Sequence, residues 1–451
     1  MTTRRSFIRT LAGVSLATGS VNALLASVLR PNASGQSHLF GDGFTSPMEA
    51  SARSPFGQAT TAPQGTALQA SMWIYLWDIV DEGYDTVFRR LKDHRLTSIS
   101  LATAYHAGKF LSPHNPKRKV VFLEDGTIYF QPNQALYGTL KPRVNSLVKK
   151  GHHLKKVQES AERAGLQTRS WVVCCHNTPL GKANPGAVTR TAFGDPLYHN
   201  LCPSNPDVRA YLRALVKDIA GQGVAVIELE ALQFQGYTHG EHHEREGIVL
   251  GTVPRFLLGL CFCDSCMKRA QQTGLDLKPV RAFVRTALED TFVAPESVAD
   301  RYPTLDTLPT GLFQPFMDWR TNVVASLVQE VTEAAAPVAV RPMVSIDPLA
   351  RTMVGMNPER VVAITGGILT PGYVKDGTAL RPLLSELQAL IPDREITVGF
   401  QVGMPESGGR VEFLDRMKTA REMGITSYNF YNYGFIPLKN LEWIAESLAA
   451  G

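Results

Sequence analysis

The chain has 451 residues, of which 44% are hydrophobic and 19% charged, with a formal net charge of +5. That is ordinary globular material, long enough for one large barrel or two mid-sized domains. Lysines and arginines are scattered apart from the short run Lys117, Arg118 and Lys119. Composition therefore points away from a disordered chain and supplies no basic stripe for nucleic acid.

Residues 3–29, TRRSFIRTLAGVSLATGSVNALLASVL, carry paired arginines, a phenylalanine two residues beyond and a mildly apolar run without acidic groups. This resembles a twin-arginine export signal, most closely over residues 3–9. The resemblance implies a signal peptide over residues 1–30, the twin-arginine translocase as a partner during export, and a periplasmic or extracellular mature protein. The other reading of the same residues is a basic amphipathic N-terminal helix. Gly13, Ser15, Thr18, Gly19 and Asn22 interrupt the run too often for a stable membrane span, and no clean A-x-A cleavage site follows. Residues 31–70 are rich in Ser, Gly, Ala, Thr and Pro and read as a linker or an N-terminal wrap.

From residue 71 onward, short β-rich runs alternate with helical patterns, as parallel βα units do. SMWIYLWDIV opens as a strand ending near Asp78, and YDTVFRRLKDHRL continues as a helix. TSISLATAYH is a second strand, followed by a polar excursion to Asn145 and the helix LVKKGHHLKKVQESAERAG. LQTRSWVVCCHN is a third strand; NPDVRAYLRALVKDIAGQG is a helix capped by Asn205 before Pro206; VAVIELEAL is a fourth strand. An insertion at about residues 233–312 carries a cysteine cluster before FMDWRTNVVASLVQEVTEAAA resumes the helical pattern. VAVRPMVSID, GGILTPGY, EITVGFQVG and ITSYNFYNYG supply four more strands, and LKNLEWIAESLAA closes the chain. The count predicts an α/β fold, a (β/α)8 TIM barrel over residues 71–451 with a long insertion after strand 4. A doubly wound open sheet is the alternative, but no G-x-G-x-x-G follows the first strand.

In such a barrel the working residues lie where strands end and βα loops begin. The expected site residues are then Asp78, His106, His176 and Asn177, Glu228 and Glu230, Asp347, Tyr373, Gln401, and Asn429 with Tyr431. Side chains alternate along a strand, so Glu228 and Glu230 share the inward face while Ile227 and Leu229 face the helices. Two inward carboxylates roughly 6.5 to 7 Å apart at Cα are expected to raise each other's pKa, leaving one protonated as an acid. Glycoside hydrolysis uses such a pair. The structural alternative is a strand-end glutamate paired with Arg341 or Arg169, holding the barrel mouth.

The order of a fourth strand ending in glutamate, a large loop carrying CFCDSC and a closing SYNFYNYG resembles the barrels of glycoside hydrolases. The C-x-C-x-x-C element is similar to the zinc-binding cysteines of one β-galactosidase family. The resemblance implies a carbohydrate substrate, with Glu230 as acid/base and a nucleophilic glutamate after strand 7. Here strand 7 ends VGFQVGMPE, placing Gln401 near that position and Glu406 several residues into the loop. An amide cannot form a glycosyl ester. Glu406, Asp347 or Glu228 is left to take the second role, or the barrel binds sugar without cleaving it. Trp77, Tyr105, Tyr431 and Tyr433 lie near strand ends and suit the apolar faces of sugars, or else pack the rim.

The six cysteines are 174, 175, 202, 261, 263 and 266. Three of them crowd residues 261–266, which suits convergent thiolates on one structural zinc, with Cys202 as preferred fourth ligand beside Cys261, Cys263 and Cys266. Disulfides and free thiols are the alternatives. His239, His242 and His243 sit in HGEHHE, a glycine-bounded loop without the H-E-x-x-H spacing. They are read as substrate contacts beside the carboxylates, as a second metal site of a metal-dependent hydrolase working with Glu230, or as solvated surface.

Overall fold

The computed structural model describes residues 68–238 and 244–450. The signal-like residues 1–30, most of the 31–70 stretch, and His239, His242 and His243 lie outside the described residues.

Eight parallel strands form the barrel: β1 (Gln69–Ile74), β2 (Ser98–Tyr105), β3 (Gln167–Val173), β4 (Val226–Glu230), β5 (Ala339–Pro342), β6 (Gly367–Pro371), β7 (Glu395–Gln401) and β8 (Ser427–Tyr431). Their hydrogen-bonded order runs β5-β4-β3-β2-β1-β8-β7-β6. A parallel bridge from Met343 to Leu369 joins the two ends and closes the ring. The protein is a (β/α)8 barrel.

Eight helices complete the units: α1 (Tyr84–Asp93), α2 (His153–Arg163), α3 (Pro206–Gly221), α4 (Thr310–Ala335), α5 (Pro358–Thr365), α6 (Gly377–Leu390), α7 (Arg410–Glu422) and α8 (Leu441–Ala449). Local chemistry sets their starts: the Asn205 side chain accepts from the amides of Asp207 and Val208, and Pro206 opens α3. Packing holds them to the sheet. Ile227 and Leu229, on the outer face of β4, are 0% exposed, and each such burial contributes roughly 1.5–3 kcal/mol.

The first strand is shorter than its sequence suggests. It stops at Ile74, and residues Leu76–Glu82 form a short helix. The turn is made by Asp78 itself, whose Oδ2 accepts from the Tyr75 amide at 3.1 Å. Trp77 and Asp78 are therefore helical residues above the barrel, not a strand end.

Inside the barrel, Trp73 reaches across to β7. A Cβ at Gly399 would sit 2.6 Å from the Trp73 ring, so this strand position has room for no side chain. The excursion after β2 folds back over the rim as a hairpin of Lys109–Leu111 with Val120–Phe122. Asp81 anchors it by accepting from Arg118 Nε at 2.9 Å and pairing with Lys117 at 3.2 Å, so the basic run is largely spent on holding this loop. The insertion after β4 adds helices Thr252–Leu258, Asp264–Gln272, Lys278–Val293 and Pro295–Arg301. No helix among the described residues is long and apolar enough to cross a membrane.

Candidate active site and cysteine centre

The alternation of β4 brings both glutamates inward but into different surroundings. Glu228 is 0% exposed and surrounded by donors. Its Oε2 accepts from Trp73 Nε1 at 3.0 Å, Ser100 Oγ at 2.5 Å and Asn429 Nδ2 at 2.9 Å. Asn429 Nδ2 also lies 3.0 Å from Oε1, and Arg169 Nη1 stands 3.7 Å from the same oxygen. Burial raises the Glu228 pKa, and Arg169 and the hydrogen bonds oppose it. Of the two arginines that could have held it, Arg169 does so; Arg341 pairs with Glu395 at 2.5 Å.

Glu230, one layer higher, is only partly buried. Trp171 Nε1 donates to its Oε2 at 2.7 Å. Burial lifts its pKa to about 7, with the indole bond pulling the other way. Desolvation, and not the neighbouring glutamate, is the leading cause of the raised pKa at both Glu228 and Glu230. The barrel interior, low in dielectric, does what mutual repulsion was expected to do.

Rings surround this carboxyl. Trp171 packs on Tyr105 (4.9 Å between centroids), Tyr75 (5.6 Å), Trp73 (5.8 Å) and Tyr431 (6.1 Å). Tyr373 stands 6.0 Å from Tyr431, and Trp77 stacks on Tyr75 at 4.3 Å. His106 stacks between Tyr105 at 4.4 Å and His176 at 4.6 Å, and His176 meets the edge of His199 at 6.0 Å. After burial, the Glu230 charge is among the causes that raise the hydroxyl pKa values of Tyr105, Tyr373 and Tyr431, which places all three within its field. Tyr75, Trp73, Trp171 and His199 escaped the sequence reading. The two tryptophans were findable, because Trp171 alternates with Arg169 on the inward face as Glu230 does with Glu228; His199 lies in an irregular loop and gave no signal.

Other expected residues serve the scaffold. Asn177 caps the helix Thr178–Ala183 by accepting from the Leu180 amide at 3.0 Å. Asp347 caps Pro348–Val354 through the amides of Leu349 and Ala350. Asn429 is 0% exposed and spent on Glu228. Asp78 is 1% exposed, with burial raising its pKa to about 8. Tyr433 turns away from the mouth to donate to Glu82 at 2.9 Å. Gln401, 1% exposed at the end of β7, donates through Nε2 to Glu406 Oε1 at 2.9 Å, so the amide and the loop carboxylate form one unit.

The four cysteines of the second centre converge from separate elements. Cys202 precedes α3, while Cys261, Cys263 and Cys266 come from the insertion; all four are buried and their sulfurs lie within 4.8 Å of one another. Cys202 Sγ is 3.5 Å from Cys263 and Cys266 and 3.9 Å from Cys261. A tetrahedral ion with Zn–S bonds of about 2.3 Å separates its sulfurs by about 3.8 Å, so the set fits a metal. Burial pushes the Cys202 and Cys266 thiols up, while hydrogen bonds from its neighbours hold Cys263 low.

Beside this centre Arg320 is 1% exposed. It lies over Phe234, Phe256 and Phe316 at 5.0 to 5.9 Å and donates to the Met353 carbonyl at 2.9 Å. No carboxylate pairs with it among the described residues. Desolvation lowers its pKa to about 10, and Cys266 and Cys261 act to raise it. A buried cation without a counter-charge is costly, and an anionic thiolate cluster would supply one.

No family model matches the sequence, and no curated protein matches it. Among solved structures, the β-galactosidase of the psychrophilic Marinomonas ef1 aligns over 85% of this chain and 60% of its own, with 8% identity and a TM-score of 0.50. The β-galactosidase of Rahnella sp. R3 aligns over 87% and 57%, with 14% identity and a TM-score of 0.49. The α-L-fucosidase isoenzyme 2 of Paenibacillus thiaminolyticus aligns over 85% and 49%, with 13% identity and a TM-score of 0.46. The chain thus spans about half to three fifths of the length of these structures. The likeness is one of fold, the (β/α)8 barrel.

Proposed function

We propose that this chain is an exported glycoside hydrolase acting on an oligosaccharide or glycoconjugate, with Glu230 as the proton donor to the leaving oxygen. One observation carries the reading: a partly open carboxyl at the end of β4, lifted to about 7 by burial and ringed by Trp171, Tyr105, Tyr373 and Tyr431. A carboxyl with that pKa is still substantially protonated near neutrality, as a general acid must be. The rings offer faces and hydroxyls for a sugar. Glu228, enclosed by donors, serves to hold Trp73, Ser100, Arg169 and Asn429 in register beneath it.

The cysteines are assigned to a structural zinc, with Cys202, Cys261, Cys263 and Cys266 as its ligands. Arg320 favours this over disulfides, since oxidation would leave a neutral cluster beside an unpaired buried cation. Export follows from residues 1–30 alone, and a twin-arginine route suits it because that pathway carries proteins already folded around their metal. The second reading, a barrel that binds carbohydrate without cleaving it, draws on Gln401 at the end of β7. Hydrolysis of a panel of 4-nitrophenyl glycosides and natural oligosaccharides by the purified protein and by Glu230→Gln separates the two. Cleavage abolished by the substitution supports hydrolysis; binding without cleavage supports the alternative.

A further inference from the structure

We propose that Glu406 is the second carboxylate of the reaction, a general base positioned by Gln401, and that the enzyme inverts the anomeric configuration. This rests on the glycoside hydrolase reading with Glu230 as acid. Three observations carry it. First, the strand end that would present a nucleophile presents an amide instead, and that amide is aimed: Gln401 Nε2 donates to Glu406 Oε1 at 2.9 Å.

Second, the loop bearing Glu406 is clamped. Buried Arg416 donates from Nη2 to the Gln401 carbonyl at 3.0 Å and from Nη1 to the Ser407 carbonyl at 2.5 Å. The same Nη1 reaches the carbonyls of Val374 at 3.0 Å and Lys375 at 2.7 Å. One guanidinium therefore ties the loop after Tyr373 to both sides of Glu406.

Third, this unit borders the Glu230 site. Gln401 is the register partner of Tyr431, Tyr431 packs 6.1 Å from Trp171, and Trp171 bonds Glu230. Glu230 and Glu406 also act on the same two hydroxyls, Tyr373 and Tyr431.

Glu406 is solvent-exposed on the turn Pro405–Ser407, one side chain outward from the strand end. A nucleophile must touch the anomeric carbon, whereas a base needs room for a water between itself and that carbon. The outward placement suits the base. As the water oxygen bonds to the anomeric carbon, its proton passes to Glu406. The glycosidic C–O bond breaks at the same time, and the leaving oxygen takes the proton of Glu230. Proton exchange with solvent then restores both groups, and the net change is addition of one water.

The test uses full-length protein and whichever natural oligosaccharide it cleaves, because a sugar leaving group needs the proton of Glu230. Proton NMR of the first-formed sugar is expected to show the anomer opposite to the substrate's. Glu406→Gln should lose roughly 100- to 10,000-fold in kcat with the fold intact. Gln401→Ala should lower kcat with little change in KM while the melting temperature holds; a merely structural role would lower the melting temperature and leave the kcat of the folded enzyme in place. Retention of configuration, or Glu406→Gln within twofold of wild type while Glu230→Gln is inactive, overturns the proposal and leaves Glu230 standing. Full activity in Glu230→Gln removes Glu230 as the acid, and no cleavage by the wild type overturns the underlying hydrolase reading; either outcome overturns this proposal with it.

Discussion

Replacing Trp171 by Phe keeps a ring among Trp73, Tyr75, Tyr105 and Tyr431 but removes the indole N–H that donates to Glu230 at 2.7 Å. That bond favours the charged carboxylate and lowers a pKa that burial holds at about 7, so its loss must raise the pKa further. A hydrogen bond to a charged group is worth roughly 1.5–3 kcal/mol, and one pKa unit is about 1.4 kcal/mol. The expected rise is therefore roughly 1 to 2 units. In the pH dependence of kcat/KM, which reports the free enzyme, the basic limb should move from near 7 to between about 8 and 9. Infrared difference spectra of the carboxylic acid band follow the same titration without substrate, and circular dichroism shows whether the fold is kept. A limb that stays in place or falls would refute the assignment of that limb to Glu230 and the role given to the indole.

Glu230→Gln removes the titration itself. Because the folded pKa lies above the unfolded one, the wild-type carboxyl favours the fold below about pH 4.5 and loses that contribution as pH rises through about 7. The variant should match wild type at acid pH and exceed it by roughly 3–4 kcal/mol well above pH 7, read from urea unfolding at several pH values; parallel curves would contradict the shift. Glu228→Ala leaves Trp73, Ser100 and Asn429 without their acceptor and Arg169 without its counter-charge deep in the barrel and should cost roughly 3–5 kcal/mol; a melting temperature near wild type would show that Glu228 is dispensable to the scaffold. Metal analysis should find one zinc per chain, absent from Cys263→Ser, with chelation freeing four thiols, and Arg320→Met should lose the metal to a chelator faster than wild type does. Disulfide-bonded cysteines in the native protein would end that assignment. Gly434→Ala would place a Cβ 2.6 Å from both Asp78 carboxylate oxygens and should destabilise by roughly 1–3 kcal/mol, seen as a lower midpoint in denaturant.

Much of the fold was legible because helix and strand periodicities are local. Every barrel strand after the first fell within a predicted run, the first beginning two residues early at Gln69, and Asn205 with Pro206 marked the start of α3. The first strand failed at its end because WIYLWDIV is apolar enough for either element, and what ends it is a side-chain-to-backbone bond from Asp78 that periodicity does not register. At the site, the ladder of strand ends led to Glu230, Gln401, Tyr105 and Tyr431. It also listed Asn177 and Asp347, whose oxygens are used as helix caps, since an Asn or Asp after a strand looks the same in sequence whether it faces a ligand or an amide.

The sequence by itself determined the eight βα units, the inward phase of Glu228 and Glu230, and a cysteine spacing suited to one ion. All of these depend on neighbours a few residues apart. Only the tertiary structure decided which glutamate is held and which is open, because the Asn429 that holds Glu228 lies 201 positions away in the chain. It likewise decided that Cys202 joins three cysteines from a distant insertion, and that Arg320 lies buried beside them. A carboxyl's charge state depends on what surrounds it in space, and closure of the barrel, not adjacency in sequence, assembles those surroundings.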